Sequence, residues 1–349
     1  MRKKFFTTSY FILILIALPV FAHSAPTKNI IPAGLNPGDT VGLISSASRA
    51  DQNQDIDFAK ERLEKLGLKV VFGNHIYARD AYFAGTDKDR ADDLNQMFAN
   101  NKIKAIIEIR GGYGCAGILP LINYKLIKKH PKILMGFSDV TALLLAIHKE
   151  TGLITFHGPL AIEPWPQFTV DYIKKVLFDG VAVTFENPTD ELDPSQDIIQ
   201  TQDRIQVING GSAEGELIGG NLTILVSLLG TKYEPDWKNK ILFVEDIGIK
   251  NYQIDRMLSQ LQLAGVFKQI KGFIFGECTK CEVSDGSYGA LTIQQILERY
   301  IKPAGIPSFM GAAFGHDPNN FTLPEGIMVT MNANDGTIKM LEPAVKTGT

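Results

Sequence analysis

Short apolar runs and segments of helical spacing alternate along the first half of the chain. The runs have the length of buried strands, and the segments between them repeat apolar residues every three or four positions. In order they are the strand 39–44, the helix 58–66, the strand 69–72, the helix 87–99, and the strands 105–109 and 132–136. Strands separated by helices form βαβ units, which build a parallel sheet. The pattern predicts an α/β domain with a parallel sheet, flavodoxin-like or Rossmann-like, over residues 28–180.

The second half of the chain begins after a change in composition. Residues 181–211 contain many Pro, Asn, Asp and Gln residues, which are typical of loops, and we interpret them as a linker between domains. Apolar strands at 241–244 and 272–276 then alternate with helices, and the turn residues 334–336 lie between two short strands. This pattern predicts a smaller C-terminal α/β domain over residues 212–345.

The N-terminus has the pattern of a secretory signal. Positive residues at 2–4 precede an apolar run at 10–21, and small residues stand at Ala22 and Ser24. We expect residues 1–24 to be a signal peptide that is cleaved after Ser24. An uncleaved anchor is the alternative, but a membrane span needs about 20 apolar residues and this run is shorter. Since no later segment is apolar enough, we expect no stable membrane span after cleavage and a periplasmic or secreted protein.

The charge balance is mildly acidic. The full sequence has 35 Lys and Arg against 38 Asp and Glu, which is a net charge of −3. Removing the three cations of residues 2–4 leaves 32 against 38, a net charge of −6. A chain of this charge without basic clusters is a poor partner for nucleic acid or anionic lipid, so we expect no nucleic-acid partner.

The three cysteines are Cys115, Cys278 and Cys281. In an oxidising compartment Cys278 and Cys281 could close a small disulfide. A zinc site would need further ligands, and a thioredoxin-type redox pair would begin a helix, whereas this pair follows a strand. We therefore interpret the pair as structural and expect no metal.

A serine stands between an apolar strand and an apolar helix. Residues 132–136 precede Ser138, and residues 140–148 follow it as a predicted helix. On such a tight turn the hydroxyl is exposed, and the free N–H groups of the helix N-terminus can stabilise an oxyanion. The alternative is that Ser138 or Asp139 only caps the helix, which is the more common role for this local pattern.

A nucleophilic serine needs a base that a carboxylate holds in place. Among the six histidines, His157 follows a strand and His316 lies in a polar loop, and the residues alone do not decide between them. Glu245 and Asp246 end an apolar strand, where an acid can orient an imidazole, bind a metal or cap the next turn.

Two glycines follow another strand of the first half. Gly111 and Gly112 allow a backbone N–H to approach a ligand closely, as in an oxyanion hole, or they form only a tight turn. The run 111–114 lacks the spacing of a dinucleotide fingerprint or a phosphate loop, so we expect no nucleotide cofactor.

An ordered set of motifs extends from Leu35 to Pro343. The motifs are Pro37-Gly38-Asp39-Thr40-Val41, Ala84-Gly85-Thr86-Asp87, Arg110-Gly111-Gly112-Tyr113-Gly114, Gly136-Phe137-Ser138-Asp139, Phe156-His157-Gly158-Pro159, Gly219-Gly220-Asn221-Leu222, Leu242-Phe243-Val244-Glu245-Asp246 and Gly315-His316. Together they resemble the LD-carboxypeptidases, a family of serine peptidases that includes the microcin C self-immunity proteins.

The resemblance implies a catalytic triad. Ser138 would be the nucleophile, Glu245 the acid and His316 the base. The backbone N–H groups of Gly112 and Asp139 would hold the oxyanion. The implied reaction is acyl transfer through an acyl-enzyme, without a metal or cofactor.

The resemblance also implies a substrate and an assembly. Family members release the terminal D-alanine from murein tetrapeptides by cutting the amide bond after an L-centre, usually that of meso-diaminopimelate. Asn221 is a candidate for binding the free carboxylate, although a cap for the helix that begins at Leu222 is the better interpretation. A homodimer is expected by resemblance. Familiar members act in the cytoplasm, so an exported member would meet periplasmic peptides or murein itself.

Two alternatives stay open. A related serine amidase would cleave peptide–nucleotide antibiotics, as the immunity proteins do. A muropeptide-binding protein would keep the fold without activity, but the joint presence of Ser138, Glu245 and His316 argues against it.

Overall fold

The structure is a computed structural model that describes residues 29–189, 203–281 and 290–347. The predicted signal peptide, residues 1–24, lies outside the described residues. Within the described ranges, no helix combines the length and the apolar character that a bilayer span requires.

The strands of the described residues form two sheets. In chain order they are β1 (Thr40–Ile44), β2 (Lys69–Phe72), β3 (Ile103–Glu108), β4 (Ile133–Gly136), β5 (Thr155–His157), β6 (Thr184–Phe185), β7 (Gln206–Asn209), β8 (Ser212–Asn221), β9 (Lys240–Ile247), β10 (Gly272–Thr279), β11 (Ser308–Met310), β12 (Leu323–Glu325), β13 (Met328–Asn332) and β14 (Thr337–Met340).

Helices connect most of these strands, and some of them begin with a side-chain cap. They are α1 (Asn53–Lys65), α2 (Asp87–Ala99), α3 (Cys115–Ile118), α4 (Tyr124–Lys129), α5 (Thr141–Thr151), α6 (Gln167–Ile173), α7 (Leu222–Ser227), α8 (Asn251–Leu263) and α9 (Ile293–Tyr300). At the start of α2, the Thr86 side chain accepts a hydrogen bond from the N–H of Asp89, and the Asp89 side chain accepts one from the N–H of Thr86.

The first sheet has the strand order β2-β1-β3-β4-β5-β12. Strands β1 to β5 run parallel, and β12 pairs antiparallel with β5. The parallel part has the flavodoxin-type order, in which the chain changes direction across the sheet between β1 and β3. The predicted α/β fold with a parallel sheet is therefore confirmed. Strand β4 is buried along its whole length, which explains its uninterrupted apolar run.

The second sheet has the strand order β6-β14-β13-β8-β9-β10-β11-β7. Strands β8 to β11 run parallel, and the outer strands pair antiparallel. The predicted hairpin at 334–336 is confirmed as β13 and β14. The segment 181–211, interpreted as a linker, supplies the short edge strands β6 and β7. The predicted domain limits 28–180 and 212–345 stay a prediction.

Helix α5 packs against both sheets. Its residues from Thr141 to Ile147 are all buried, as expected for a helix that is apolar on every side. It contacts β4 and β5 of the first sheet and β8 of the second. At its start, the hydroxyl of Thr141 accepts a hydrogen bond from the backbone N–H of Asn221 at 3.0 Å. The turn that precedes α5 is thereby held against the carboxyl end of β8.

Cys278 and Cys281 are joined by a disulfide at the end of β10. The small disulfide that the sequence allows is therefore present. Cys115 is a free, buried thiol at the start of α3.

Glu325 is a buried carboxyl that makes the stability dependent on pH. Its Oε2 accepts a hydrogen bond from Oγ1 of Thr155 at 3.2 Å, while Oε1 has no hydrogen-bond partner among the described residues. Burial raises the pKa of Glu325 well above its ordinary value. A group with a raised folded pKa contributes stability below the unfolded pKa of about 4.3, and this contribution is lost as the pH rises through the folded pKa.

We expect Glu325→Gln to be more stable than the wild type above neutral pH, because it removes a carboxyl that resists ionisation. Its melting temperature should exceed that of the wild type by about 2 °C or more, the shift that 1 kcal/mol produces in a large domain. The difference should shrink as the pH falls. Thermal unfolding at about pH 9 and about pH 5 checks this, and an equal difference at both pH values would contradict the titration of Glu325.

Candidate active site

Ser138 occupies the turn between β4 and α5. Strand β4 ends at Gly136, and a 3₁₀ turn, Ser138–Val140, leads directly into α5. Ser138 has a φ of +61°, in the left-handed region that serine seldom adopts. Backbone strain of this kind is concentrated at functional sites, and nucleophilic serines of other hydrolases lie on similarly strained strand-to-helix turns.

The helix-cap alternative for this segment is wrong. No side chain caps the 3₁₀ turn or the start of α5. The carboxylate of Asp139 instead accepts a hydrogen bond from the backbone N–H of Cys115 at 2.8 Å, which joins the serine turn to the loop after β3. Burial raises the pKa of Asp139, while this hydrogen bond partly offsets the rise. The hydroxyl of Ser138 is thus not committed to capping.

Glu245 and His316 form a hydrogen-bonded pair. Glu245 is fully buried near the end of β9, and its Oε2 lies 2.7 Å from Nδ1 of His316. Gly315, with a φ of +128°, permits this approach, because a Cβ there would lie only 3.2 Å from Oε2 of Glu245. Burial lowers the pKa of His316, but the charge and the hydrogen bond of Glu245, together with the charges of Glu163 and Asp246, raise it overall. The carboxylate therefore orients the ring and favours its cation.

Phe137 brings the serine turn against the histidine loop. Its ring packs edge-on against the imidazole of His316, with the ring centroids 4.6 Å apart. Ser138 follows Phe137 directly, so the two candidate groups lie in the same region between the sheets. Among the residues that the structure describes, no hydrogen bond joins Oγ of Ser138 to His316. Such contacts are often long without substrate and shorten when it binds.

His157, the other candidate base, is surrounded by aromatic rings and is not paired with an acid. Its ring packs against Phe137, Phe243 and Phe314. Neither ring nitrogen has a hydrogen-bond partner in the described part of the chain. Burial lowers the pKa of His157 to about 4, so the ring is neutral at ordinary pH. The structure thus pairs the carboxylate of Glu245 with His316 and not with His157.

The loop after β3 lies directly against the serine turn. A Cβ on Gly111 would be 2.9 Å from Cβ of Ser138 and 3.4 Å from the backbone N of Asp139. Gly112 has a φ of +103°, and a Cβ there would be 2.4 Å from Oγ of Ser48. Only glycine permits backbone segments to approach this closely. The N–H groups of Gly112 and Asp139 therefore belong to two segments that meet at Ser138.

Asn221 caps α7 and also contacts Glu245. Its Oδ1 accepts a hydrogen bond from the N–H of Ile224 at 3.2 Å, which confirms the capping interpretation. Its Nδ2 donates to Oε1 of Glu245 at 3.2 Å and to Oδ1 of Asp246 at 3.3 Å. Sequence reasoning missed the bond to Glu245. The available signal was that the two residues lie at or near the ends of the neighbouring parallel strands β8 and β9, where they pair in register. A contact between Asn221 and substrate stays a prediction.

Asp246, the residue after Glu245, has its carboxylate hydrogen-bonded to other residues of the protein. Its Oδ2 accepts hydrogen bonds from the N–H and the hydroxyl of Thr223 at 3.0 and 2.7 Å. Burial and the adjacent charge of Glu245 raise the pKa of Asp246. In the part of the chain that the structure describes, no group of three or more His, Cys, Asp or Glu side chains is placed to hold a metal ion.

Glu163 is a further carboxyl near His316 that sequence reasoning did not identify. It lies in the loop after β5, and its Oε2 accepts a hydrogen bond from the N–H of Leu160 at 3.4 Å. Burial raises the pKa of Glu163 to about 7, although the nearby His316 lowers it. Nothing in the local sequence distinguishes this loop carboxyl from a solvated one.

Two family domains match the chain in order. The LD-carboxypeptidase N-terminal domain matches residues 41–158, and the LD-carboxypeptidase C-terminal domain matches residues 214–331. The chain belongs to the LD-carboxypeptidase family. In this LD-carboxypeptidase, Ser138 lies in the first match, whereas Glu245 and His316 lie in the second.

Named relatives agree with this assignment. A Bacillus subtilis protein named "Probable murein peptide carboxypeptidase" is 39% identical over 326 residues, 92% of this chain and 97% of its own length. The predicted family and the predicted class of enzyme, a serine carboxypeptidase, are thereby confirmed.

Solved structures of related proteins have the same fold. The microcin C7 self-immunity protein MccF of Escherichia coli is 30% identical over 91% of this chain and 97% of its own length. Its wild-type apo structure matches with a TM-score of 0.81 and 28% identity over 91% of this chain and 100% of that chain. A muramoyltetrapeptide carboxypeptidase from Oxalobacter formigenes matches with a TM-score of 0.73 and 26% identity over 86% of this chain and 97% of that chain.

We expect His157→Phe to keep the activity of this LD-carboxypeptidase within a few-fold. A buried imidazole without hydrogen bonds loses little when an apolar ring of similar shape replaces it, and the fold can gain stability. Values of kcat/KM and the melting temperature check this. His316→Phe, the same exchange at the other histidine, is the matched control and should lose about 10⁴-fold or more. Equal losses in both variants, with unchanged melting temperatures, would place His157 in the chemistry.

Proposed function

We propose that this LD-carboxypeptidase releases the terminal D-alanine from murein tetrapeptides through an acyl-enzyme on Ser138. The observation that carries the proposal is the hydrogen bond between Glu245 and His316. The imidazole of the same pair packs against Phe137, the residue directly before Ser138. A carboxylate and an imidazole beside a serine are the groups that activate its hydroxyl. The names of the Bacillus subtilis and Oxalobacter formigenes relatives support murein peptides as the substrate class.

In the acylation step, Nε2 of His316 takes the proton of the Ser138 hydroxyl as Oγ attacks the carbonyl carbon of the L-centre. The N–H groups of Gly112 and Asp139 hold the oxyanion that develops. The C–N bond then breaks, and His316 returns the proton to the amine of the departing D-alanine. Glu245 keeps the imidazole oriented and stabilises its cation during both transfers.

Water completes the cycle. His316 takes a proton from water, whose oxygen bonds to the acyl carbon of the ester on Ser138. The ester bond breaks, Ser138 Oγ recovers the proton from His316, and the tripeptide leaves with a new carboxylate. This scheme needs no metal or cofactor. Asn221 acts through Glu245, which its side-chain amide contacts at 3.2 Å.

We place the reaction in the periplasm or outside the cell, because residues 1–24 have the pattern of a secretory signal. N-terminal sequencing of exported protein tests this, with a mature chain that begins at Ala25 as the expected result. The homodimer expected by resemblance is tested by sedimentation. A monomer in solution would contradict it.

Cleavage of peptide–nucleotide antibiotics is a second candidate function. The TM-score of 0.81 against the self-immunity protein MccF supports it. A non-catalytic muropeptide-binding protein is a third candidate, but a buried carboxylate that orients an imidazole has no obvious use in simple binding.

Incubation of the purified protein with a murein tetrapeptide distinguishes the three functions. Release of tripeptide and free D-alanine, followed by mass spectrometry, is the expected result. Cleavage of an aminoacyl sulfamoyl adenosine in place of the tetrapeptide would favour the immunity function. Binding of the tetrapeptide without release of any amino acid would favour the binding protein.

A further inference from the structure

Two exposed tyrosines and a half-buried phenylalanine form a cluster beside the serine turn, which we call the aromatic wall: Tyr82, Phe83 and Tyr113. The centroid of the Tyr82 ring lies 4.3 Å from that of Phe83 and 5.8 Å from that of Tyr113. Tyr82 is 57% exposed and Tyr113 is 61% exposed. Tyrosine rings are enriched in binding surfaces, because each offers a flat apolar face and a polar tip.

Hydrogen bonds between three loops hold the aromatic wall in place. The N–H of Ser48 donates to the carbonyl of Gly111 at 3.1 Å, and Oγ of Ser48 accepts a hydrogen bond from the N–H of Tyr113 at 3.2 Å. The N–H of Arg49 donates to the carbonyl of Tyr82 at 3.3 Å. The loops after β1, β2 and β3 thus form one connected surface. A ligand that packs on it loses little affinity to the ordering of loops.

The aromatic wall lies at the edge of the first sheet where ligands commonly bind in α/β folds. Strands β1 and β3 are neighbours at the point where the strand order reverses, and open α/β sheets bind ligands outside the carboxyl ends of such strands. Gly111, whose Cβ would lie 3.0 Å from Oγ of Ser138, is two residues before Tyr113. Since consecutive Cα atoms are about 3.8 Å apart, the Cα atoms of Gly111 and Tyr113 are within about 8 Å of each other. The wall therefore borders the reacting centre.

The peptide part of a muropeptide offers little to an aromatic surface. On the acyl side of the scissile bond it contains a diamino acid, a glutamate and an alanine, none of which has a large apolar side chain. The next group is the muramoyl sugar, whose ring carries C–H groups on its faces. Three extended residues span about 10 Å, which is comparable with the bound of about 8 Å on the separation between the Cα atoms of Gly111 and Tyr113.

We propose that the aromatic wall binds the muramoyl sugar, with the sugar ring packed on Tyr113 and Tyr82. This inference rests on the proposed function and adds a specificity to it. When the apolar face of the sugar packs on the rings, both surfaces are removed from water, and the tyrosine hydroxyls can form hydrogen bonds with the polar edge of the sugar. The enzyme then prefers tetrapeptides that still carry the sugar over free tetrapeptides.

The test compares the KM for N-acetylmuramoyl-tetrapeptide with the KM for the free tetrapeptide. In the wild type the KM of the sugar-bearing substrate should be lower by about 2- to 10-fold, the effect expected from aromatic contacts. Tyr113→Ala and Tyr82→Ala should bring the ratio of the two KM values towards one, whereas Tyr113→Phe, which keeps the ring and loses only the hydroxyl, should keep most of the wild-type difference. Phe58→Ala, which removes an exposed aromatic ring from α1, is the matched control and should keep the wild-type ratio.

Three results would overturn the proposal. The first is an equal KM for both substrates in the wild type. The second is a parallel rise of both KM values in Tyr113→Ala, which would show general damage to the site. The third is a change of oligomeric state in Tyr113→Ala, which would make the wall a contact between copies of the chain.

A binding experiment separates this proposal from the proposed function. If the wild type releases D-alanine from neither substrate, the proposed function fails, and Ser138→Ala is titrated with both peptides. A lower Kd for the sugar-bearing peptide that disappears when Tyr113→Ala is added would still support the wall. Equal Kd values would overturn it. Binding of adenosine monophosphate that depends on Tyr113, with no effect of the sugar, would also overturn it in favour of a nucleobase site.

Discussion

Ser138→Ala should abolish the release of D-alanine and leave the fold intact. We expect kcat to fall by about 10⁶-fold, as it does when the serine is removed from another serine peptidase, because water alone must then attack the amide. The hydroxyl of Ser138 makes no hydrogen bond to another described residue, so the melting temperature should stay close to that of the wild type. Release of D-alanine from a tetrapeptide and thermal unfolding measure the two effects.

Ser138→Gly is the matched control for the strained turn. Glycine adopts a φ of +61° without the steric penalty of about 1–2 kcal/mol that an L-residue meets in the left-handed region. This variant should therefore be as inactive as Ser138→Ala but melt at a higher temperature. Activity near the wild-type level in either variant would remove Ser138 from the mechanism.

Glu245→Gln should lower kcat/KM by about 10⁴-fold, the loss that follows when a triad acid becomes an amide. It should also move the acid limb of the pH profile. In the wild type Glu245 raises the pKa of His316, and the base must be neutral to accept a proton, so activity rises with pH through this raised pKa. Without the charge of Glu245, only the smaller effects of Glu163 and Asp246 oppose burial, so the pKa of His316 falls and the acid limb shifts to lower pH. The pH dependence of kcat/KM measures the shift.

Glu216→Gln is the matched control for this variant. Glu216 pairs with His148 at 3.2 Å and with Lys240 at 2.7 Å, outside the active site. Burial raises the pKa of Glu216, but these two partners lower it to about 2. The stability that it contributes is present above the unfolded pKa and is lost as the pH falls. Glu216→Gln should therefore lose stability at neutral pH and keep the activity profile. A common loss of activity in both variants, or an acid limb that stays in place in Glu245→Gln, would contradict the role of Glu245.

The sequence predicts those parts of the fold that its local pattern encodes. The run at 132–136 is apolar because β4 is buried on both faces, and the hairpin at 334–336 follows from its turn residues. The sequence pattern did not predict β8, in which three glycines interrupt the apolar residues, or the short strands β6, β7, β11 and β12. Strand β11 has three residues. The other three short strands share a second property. Each has only two to four residues and pairs with a strand distant in sequence, so no periodicity marks it.

In the candidate site, too, the local sequence pattern predicts only part of what the structure shows. The local pattern around Ser138 favours a helix cap, yet the structure leaves the hydroxyl uncommitted and uses Asp139 to hold a neighbouring loop. Only the family resemblance selected His316 over His157, because both are loop or strand-end histidines in the sequence. Burial separates them: His157 lies among aromatic rings, and His316 meets Glu245.

The local sequence pattern predicted the α/β class and the strand that leads into Ser138, and the family resemblance added the three residues of the proposed triad. The contact between His316 and Glu245, the contact between Asn221 and Glu245 and the packing of Tyr82 against Tyr113 are visible only in the tertiary structure. The physical reason is that local propensity acts over a few residues of chain. Each of these contacts joins residues that are distant in sequence. They meet because two sheets pack on α5, or because loops at one sheet edge are hydrogen-bonded to each other.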